Sequence, residues 1–227
     1  MNSIRRLVVL TGPMVAASVI LSPLSALSAE ANVVDLAAGD LVAATATALE
    51  RAQFLERPEK DVLEKLLSES VGLQKLLSAR ASATSEEFAV SLADLTVVVQ
   101  AVEFEKGSTE GNFQNLALVL RDVQIKRDHL QHAQGGFAFK KRLKVLVLVT
   151  TYKEGQPFAG YEVSFNPLRL ADTQQARYPV SSTTNDARRD LPPGLYVMSL
   201  RRGSVAINKT VEVGEDGADE QTIRIDL

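Results

Sequence analysis

Cysteine and tryptophan are absent from this chain of 227 residues, and histidine occurs only twice. Without cysteine there is no disulfide, no thiol nucleophile, no thiolate metal site and no lipidated cysteine. Two neighbouring histidines exclude most nucleophile–base triads, and no phosphate-binding loop, zinc-protease or serine-hydrolase motif occurs. We therefore expect no enzyme activity and no cofactor. A hydrolase that uses a carboxylate pair is the enzyme class left open.

The balance of apolar and charged residues is that of a globular protein. Hydrophobic residues make up 45% of the chain and charged residues 23%, which is enough apolar material for a sizeable core. The formal net charge of −3 argues against a nucleic-acid partner. Aromatic residues, at 5%, are too few to favour a platform on which sugars stack.

The first 31 residues have the three-part pattern of a secretory signal peptide. Two arginines precede an apolar stretch, and Ala29 and Ala31 then form an A-x-A pattern. The alternative is an uncleaved membrane anchor, but the apolar run is short for a span and is interrupted by glycine and proline. We predict cleavage after Ala29 or Ala31. The mature protein is then soluble, periplasmic or extracellular, and without a stable membrane anchor.

Helical spacing of apolar residues extends over residues 32–136, which we predict to be a helical domain. Four amphipathic segments with short connections indicate an antiparallel bundle. In the second segment Pro58 suits the first helical turn, and Glu59 and Asp61 suit the positive end of the helix dipole. The leucines of that segment then follow at three- and four-residue steps: Leu63, Leu66, Leu67, Leu73 and Leu77.

The third segment, residues 85–105, permits two interpretations. Its β-branched run "TVVV" favours a strand. A cap at Thr84 or Ser85 and an end at Gly107 favour a helix. We favour the helix, because five apolar residues repeat at steps of three and four: Phe88, Leu92, Leu95, Val99 and Val102.

Beyond residue 137 the apolar period changes to two, which predicts a β-sandwich domain over residues 137–227. In "YEVSF" Tyr161, Val163 and Phe165 alternate with polar residues, and "SVAINKTVEV" and "QTIRIDL" follow the same rule. These are strands with one wet face, as in antiparallel sheets. The predicted fold class is therefore α+β: an antiparallel helical bundle followed by a small antiparallel β-sandwich.

The strand "KVLVLV" is apolar on both faces, so both faces should be covered. The sandwich core covers one face. We predict that the helical half covers the other and that the two halves pack together. The alternative is that Leu146 and Leu148 lie under a long loop such as residues 166–180.

The stretch "LPPGLYVMSL" stiffens the chain before a strand. Pro192 begins the predicted type II turn, Pro193 presets φ, and Gly194 accepts the positive φ that the next position requires. We interpret this stretch as a structural corner, in preference to a functional loop.

Two turn motifs carry a resemblance to a known family. Gly155, Pro157 and Gly160 form a G-x-P-x-x-G turn between two strands, and "PPGLY" precedes a strand, a basic-glycine turn and a closing strand. Residues 141–227 thus resemble the carboxypeptidase regulatory-like domain, a transthyretin-like β-sandwich. The resemblance implies an accessory module of exported proteins, used for folding support, adhesion or ligand contact, and it implies no catalytic residue.

Two clusters of polar residues are candidate metal sites. His129 and His132 stand three residues apart on a predicted helix, with Asp128 beside the first and Asp122 two turns upstream, a pattern that could hold a divalent ion. Because no distant third ligand is evident, we favour a polar helix face. The acidic stretch "GEDGADE", residues 214–220, could bind calcium, but it lacks the spacing of a known calcium loop, and a solvated hairpin tip is favoured.

Basic residues recur in "RDVQIKRDHLQHAQGGFAFKKR" and in the β half. They could meet an anionic polymer, a glycan or lipid head groups, but interspersed acidic residues favour an ordinary solvated face. We expect a non-catalytic interaction or structural protein with a protein partner in the cell envelope. The alternative is a module that binds a small ligand or a glycan through its sandwich loops, around Arg177, Tyr178 and Arg188.

Overall fold

The structure, a computed structural model, describes residues 23–52, 58–79, 85–102, 104, 109–132, 143–168, 177–215 and 217–227. Four helices come first: α1 (Pro23–Ala52), α2 (Pro58–Ser78), α3 (Glu86–Gln100) and α4 (Thr109–His132). Helix α1 packs between α2 and α3, and α2 also packs on α4. One core of buried apolar side chains joins them, which confirms the predicted bundle.

Helix α3 resolves the ambiguity of the third segment. The Ser85 hydroxyl accepts a hydrogen bond from the Phe88 backbone N–H at 3.3 Å and caps the helix. All five apolar residues of the predicted stripe are buried. The β-branched run does not make a strand, because burial of this stripe outweighs local propensity. The predicted end at Gly107 is wrong, because the helix already ends at Gln100, with Ala101 as its C-cap.

Among the described residues after α4, eight strands form two four-stranded sheets. In the first sheet β1 (Val145–Lys153) pairs with β2 (Gln156–Pro157), β5 (Ala187–Leu191) and β8 (Glu220–Asp226). The second has the order β4-β3-β6-β7, from β4 (Tyr178–Thr183), β3 (Glu162–Pro167), β6 (Gly194–Arg202) and β7 (Val205–Val213). Every pair is antiparallel except β1–β8, which is parallel. The α+β class is confirmed.

The two sheets enclose a second apolar core, separate from that of the bundle. Tyr161, Val163 and Phe165 point into it, as their alternation predicts. The stripes predicted for the last two strands are buried in part, since Val205 is 51% exposed and Leu227 is 39% exposed. Strand β7 lies at an edge of its sheet, and within the described residues β8 pairs with β1, so these strands are covered from one side of the sheet.

The two halves pack together as predicted, although the principal contact joins α4 to β6. The prediction that the bundle covers the second face of β1 is not confirmed, because Leu146 and Leu148 on that face are only half-buried. The partners of Leu148 in the adjacent strands are Arg188 and Thr222, so polar side chains of the same sheet flank it. Leu143, two residues before β1, is buried in the bundle core. The predicted domain boundary after residue 136 lies outside the described residues.

Helix α1 begins at Pro23 and so includes both predicted cleavage sites, Ala29 and Ala31. The first side chain of α1 described as buried is that of Val34. Cleavage at either site would therefore keep every described core residue. None of the helical stretches that the structure describes is long and apolar enough to cross a membrane.

Candidate functional site at the junction of bundle and sandwich

The corner that begins β6 meets α4 at a buried ion pair. Asp122 and Lys126 stand four residues apart on α4 and therefore share a face. The Lys126 side chain is fully buried and forms an ion pair with the Asp122 carboxylate. Lys126 Nζ also donates to the Pro193 carbonyl at 2.7 Å, and Asp122 Oδ2 accepts from the Leu195 backbone N–H at 3.1 Å. Both charges thus bind the corner as well as each other.

The corner itself has the positive φ that its glycine predicts, but a more open shape. The predicted type II turn is wrong, since Gly194 has φ +154° and is already the first residue of β6, whereas that position of a type II turn has φ of about +80°. A Cβ atom on Gly194 would lie 2.9 Å from Lys126 Nζ and 3.0 Å from each carboxylate oxygen of Asp122. The position therefore requires glycine for two reasons, backbone conformation and the closeness of α4.

Two aromatic rings complete the surroundings of the ion pair. The Tyr196 hydroxyl donates to the Pro192 carbonyl at 2.7 Å, and the Phe88 ring of α3 lies 6.0 Å from Lys126 Nζ. Burial, with smaller contributions from Tyr178 and Asp122, raises the pKa of Tyr196 well above its ordinary value. The hydroxyl therefore stays a hydrogen-bond donor at neutral pH. A buried charge is tolerated only when it is paired and hydrogen-bonded, and these contacts meet that condition.

The two histidines lie in different surroundings. His129 is fully buried, and a Cβ atom on Gly214 would lie 3.3 Å from its Nδ1 atom. His132 is exposed, with its Nδ1 atom 2.8 Å from the Asp128 carbonyl oxygen. The helix face at His129 is polar, but it is buried rather than exposed to solvent, because the turn after β7 covers it. Within the part of the chain that the structure describes, no group of three or more potential ligands could hold a metal ion.

The acidic turn between β7 and β8 is docked on α4. Gly217 is buried, and a Cβ atom there would lie 2.6 Å from the Cβ of His132. Arg121 of α4 pairs with Glu212, at 2.6 Å, and with Glu215. The hydrogen bond from Arg121 lowers the pKa of Glu212. The expected solvated hairpin tip is therefore correct only in part. Glu215 and residues 218–220 are exposed, but Gly214 and Gly217 are buried, and the turn joins strands of different sheets.

Helix α3 adds a second group of ion pairs to the junction. The Glu87 carboxylate lies 2.7 Å from Lys144 Nζ and 3.8 Å from an Arg189 nitrogen. Lys144 directly precedes β1, and Arg189 is on β5. All three side chains are about one-third exposed. At Glu87, basic residues of the β half thus face an acidic residue of the bundle. At Arg121, a basic residue of the bundle faces acidic residues of the β half.

The proposed ligand-binding residues are divided between the junction and the solvent. Arg177 forms an ion pair with Asp94 of α3 at 3.1 Å. Tyr178 is 4% exposed, and the guanidinium of Arg189 lies 5.9 Å from its ring centroid. Burial raises the pKa of the Tyr178 hydroxyl. Arg188 is exposed on β5. Arg177 therefore contributes to the contact with α3, Tyr178 belongs to the core of the sandwich, and Arg188 stands apart from both.

The turn motifs of the sandwich lie at its two ends. Val145, at the start of β1, pairs with Leu191 beside the corner, whereas Tyr152 pairs with Pro157. The turn from Gly155 to Gly160 is therefore at the end remote from α4. Of these two turn motifs, the P-P-G corner is the one that takes part in the junction.

A groove of about 610 Å³ lies on the bundle between α1 and α3. Its floor includes Ala44 and Ala48, which are nearly buried. Val97 on its α3 side is 62% exposed. Asp40 and Arg51 line the groove from α1 and are both exposed. This groove is a second candidate site, made of small side chains with a charge towards either end.

Sequence reasoning did not predict the contacts that Asp122, Glu87 and Tyr196 make at the junction. The four-residue spacing of Asp122 and Lys126 was available as a signal, but solvated helix faces carry the same spacing. No protein-family model, curated protein or solved structure matches this chain. The class of this protein is therefore defined by its own fold and site. It is a helical bundle joined to a two-sheet β domain through a buried ion pair.

Proposed function

We propose that this chain is an exported, non-catalytic interaction or structural protein of the cell envelope. The helical bundle carries the surface that binds a protein partner, and the β domain is the base that holds the bundle. The β domain is an accessory module of the carboxypeptidase regulatory-like type. Its two four-stranded sheets are compatible with that resemblance.

The observation that carries this proposal is the groove between α1 and α3. Its small side chains leave about 610 Å³ of concave surface, and Val97, on its α3 side, is 62% exposed. Side chains of this size let another helix approach closely, and ridges of one helix pack into such grooves of another. A protein helix therefore suits the groove better than a polar small molecule does.

The junction supports the proposal because it fixes the bundle to its base. Lys126, fully buried, bridges Asp122 and the corner carbonyl of Pro193. Two further ion pairs join the halves: Arg121 of α4 with Glu212 of β7, and Glu87 of α3 with Lys144. A binding surface on a held scaffold loses less conformational freedom on binding than a surface on a free arm.

A photo-crosslinking amino acid at Val97 tests the binding surface in the periplasmic fraction. The control carries the same amino acid at Lys65, an exposed position of α2 that does not line the groove. We expect crosslinked species from the Val97 position and none from Lys65. Crosslinking from neither position, together with substrate turnover by the purified protein, would contradict the proposal.

Export has its own test. N-terminal sequencing of protein recovered from the periplasm should begin at Glu30 or Asn32, since we predict cleavage after Ala29 or Ala31. A full-length chain found only inside the cell would overturn the assignment to the envelope, and the crosslinking at Val97 would then be carried out in whole cells.

A further inference from the structure

The two charges that line the groove from α1 lie on the same side of the helix. Asp40 and Arg51 are eleven residues apart, which is close to three full turns and about 16 Å along the helix axis. Both are exposed. Within the described ranges neither forms an ion pair, and the Arg51 guanidinium lies 5.3 Å from the centroid of the Phe104 ring. The groove therefore has a negative end and a positive end.

The residues between these charges are symmetric about the midpoint of the pair. Positions equally far from the midpoint carry side chains that fit each other across a two-fold axis: Asp40 with Arg51, Ala43 with Ala48, and Ala44 with Thr47. If two copies of α1 cross in antiparallel directions, each acid faces a base, and small residues meet at the centre. A two-fold interface requires such a self-complementary surface.

We propose that the groove between α1 and α3 is a self-association surface that takes a second copy of this chain. The two α1 helices pack antiparallel about a two-fold axis, with Asp40 of each subunit facing Arg51 of the partner subunit. Val97 of α3, 62% exposed, then covers the side of the partner's α1 helix. This inference rests on the proposed function, since it names the partner of the binding surface.

Charge reversal tests the proposal by sedimentation velocity on the full mature chain. We expect a concentration-dependent dimer for the natural sequence. Asp40→Arg places two like-charge contacts in each dimer, and so does Arg51→Asp, because the two-fold axis repeats every change. Each variant should weaken the dimer by at least about a hundredfold. Glu64→Lys on α2, an exposed residue outside the groove, is the matched control and should dimerise normally.

Mixing the two variants gives the decisive result. A chain with Asp40→Arg and a chain with Arg51→Asp complement each other at both ends, so an equimolar mixture should form a heterodimer at the natural affinity. This rescue also shows that both variants are folded, which matters because Arg51→Asp removes the contact with Phe104. If either variant alone dimerises as strongly as the natural chain, or if the mixture stays monomeric, the two-fold arrangement is refuted.

The failure of this inference is distinguishable from the failure of the proposed function. If the natural chain stays monomeric at high micromolar concentration, self-association is refuted. Crosslinks from Val97 to a different protein would then leave the groove as a binding surface with another occupant. If the protein is monomeric and gives no such crosslinks, both the self-association and the groove as a binding surface are contradicted.

Discussion

Replacing Lys126 with methionine should strongly destabilise the whole protein. Methionine keeps most of the length of the side chain but leaves the Asp122 carboxylate, 5% exposed at the residue level, without its counter-charge. Removing one partner of a buried ion pair typically costs about 3–5 kcal/mol. The Pro193 carbonyl loses its donor at the same time. We therefore expect a loss at the upper part of that range, a large share of the stability of an ordinary domain.

Urea unfolding followed by far-ultraviolet circular dichroism measures the loss. The matched control is Lys60→Met on α2, because Lys60 and Glu64 have the same four-residue spacing at 3.9 Å with both side chains well exposed. The control should change the free energy of unfolding by less than about 0.5 kcal/mol. We expect the natural chain to unfold in a single transition. In Lys126→Met the bundle and the β domain should unfold in separate transitions, since the junction between them is weakened.

A second variant separates the missing counter-charge from a loss of packing. In Asp122→Leu combined with Lys126→Met both charges are gone, and apolar replacement of a buried pair is often close to neutral. The Leu195 N–H then lacks its acceptor, at a cost of about 1–3 kcal/mol. The double variant should thus be more stable than Lys126→Met alone. If Lys126→Met costs no more than the control, the ion pair does not hold the junction and the reasoning is refuted.

Three further outcomes can be measured by the same unfolding assay. Gly194→Ala should cost about 1–3 kcal/mol from backbone strain alone, and more because its Cβ would press on Lys126 Nζ; an unchanged midpoint would contradict the close approach of α4. The pKa of Glu212 is lowered, so its contribution is present above the ordinary pKa and lost as pH falls; the deficit of Arg121→Met should therefore be largest at neutral pH and shrink in acid. The pKa of Tyr196 is raised, so its stabilisation persists below the ordinary pKa and is lost as pH rises above it; the deficit of Tyr196→Phe at pH 7 should narrow in alkali, and a constant deficit would count against burial as the cause.

The elements of the fold were predictable because each rests on a local pattern. The stripe from Phe88 to Val102 specifies a helix, and Ser85 with the two acids after it specifies where that helix begins. The alternation in "YEVSF" likewise specifies which side chains point into the sandwich. Propensity alone would have misassigned Val97 and Val98 to a strand, and periodicity corrected it.

The junction could not be predicted, because no local pattern distinguishes a buried pair from an exposed one. Asp122 with Lys126 and Lys60 with Glu64 have the same spacing in the sequence, yet the first pair is buried and the second exposed. The difference is that residues distant in the sequence, Pro193 and Leu195, pack on the first pair and cover it. The same is true of His129, which the turn after β7 buries.

The hydrogen-bonding groups of the corner explain why α4 presents these particular side chains. Prolines have no N–H group, so Pro192 and Pro193 offer only carbonyl acceptors, whereas Leu195 offers a donor. The two acceptors need donors, which are the Tyr196 hydroxyl and the Lys126 ammonium group. The donor needs an acceptor, which is the Asp122 carboxylate. A P-P-G corner buried against a helix therefore favours a cation and an anion on that helix, and glycine at the third position lets them approach.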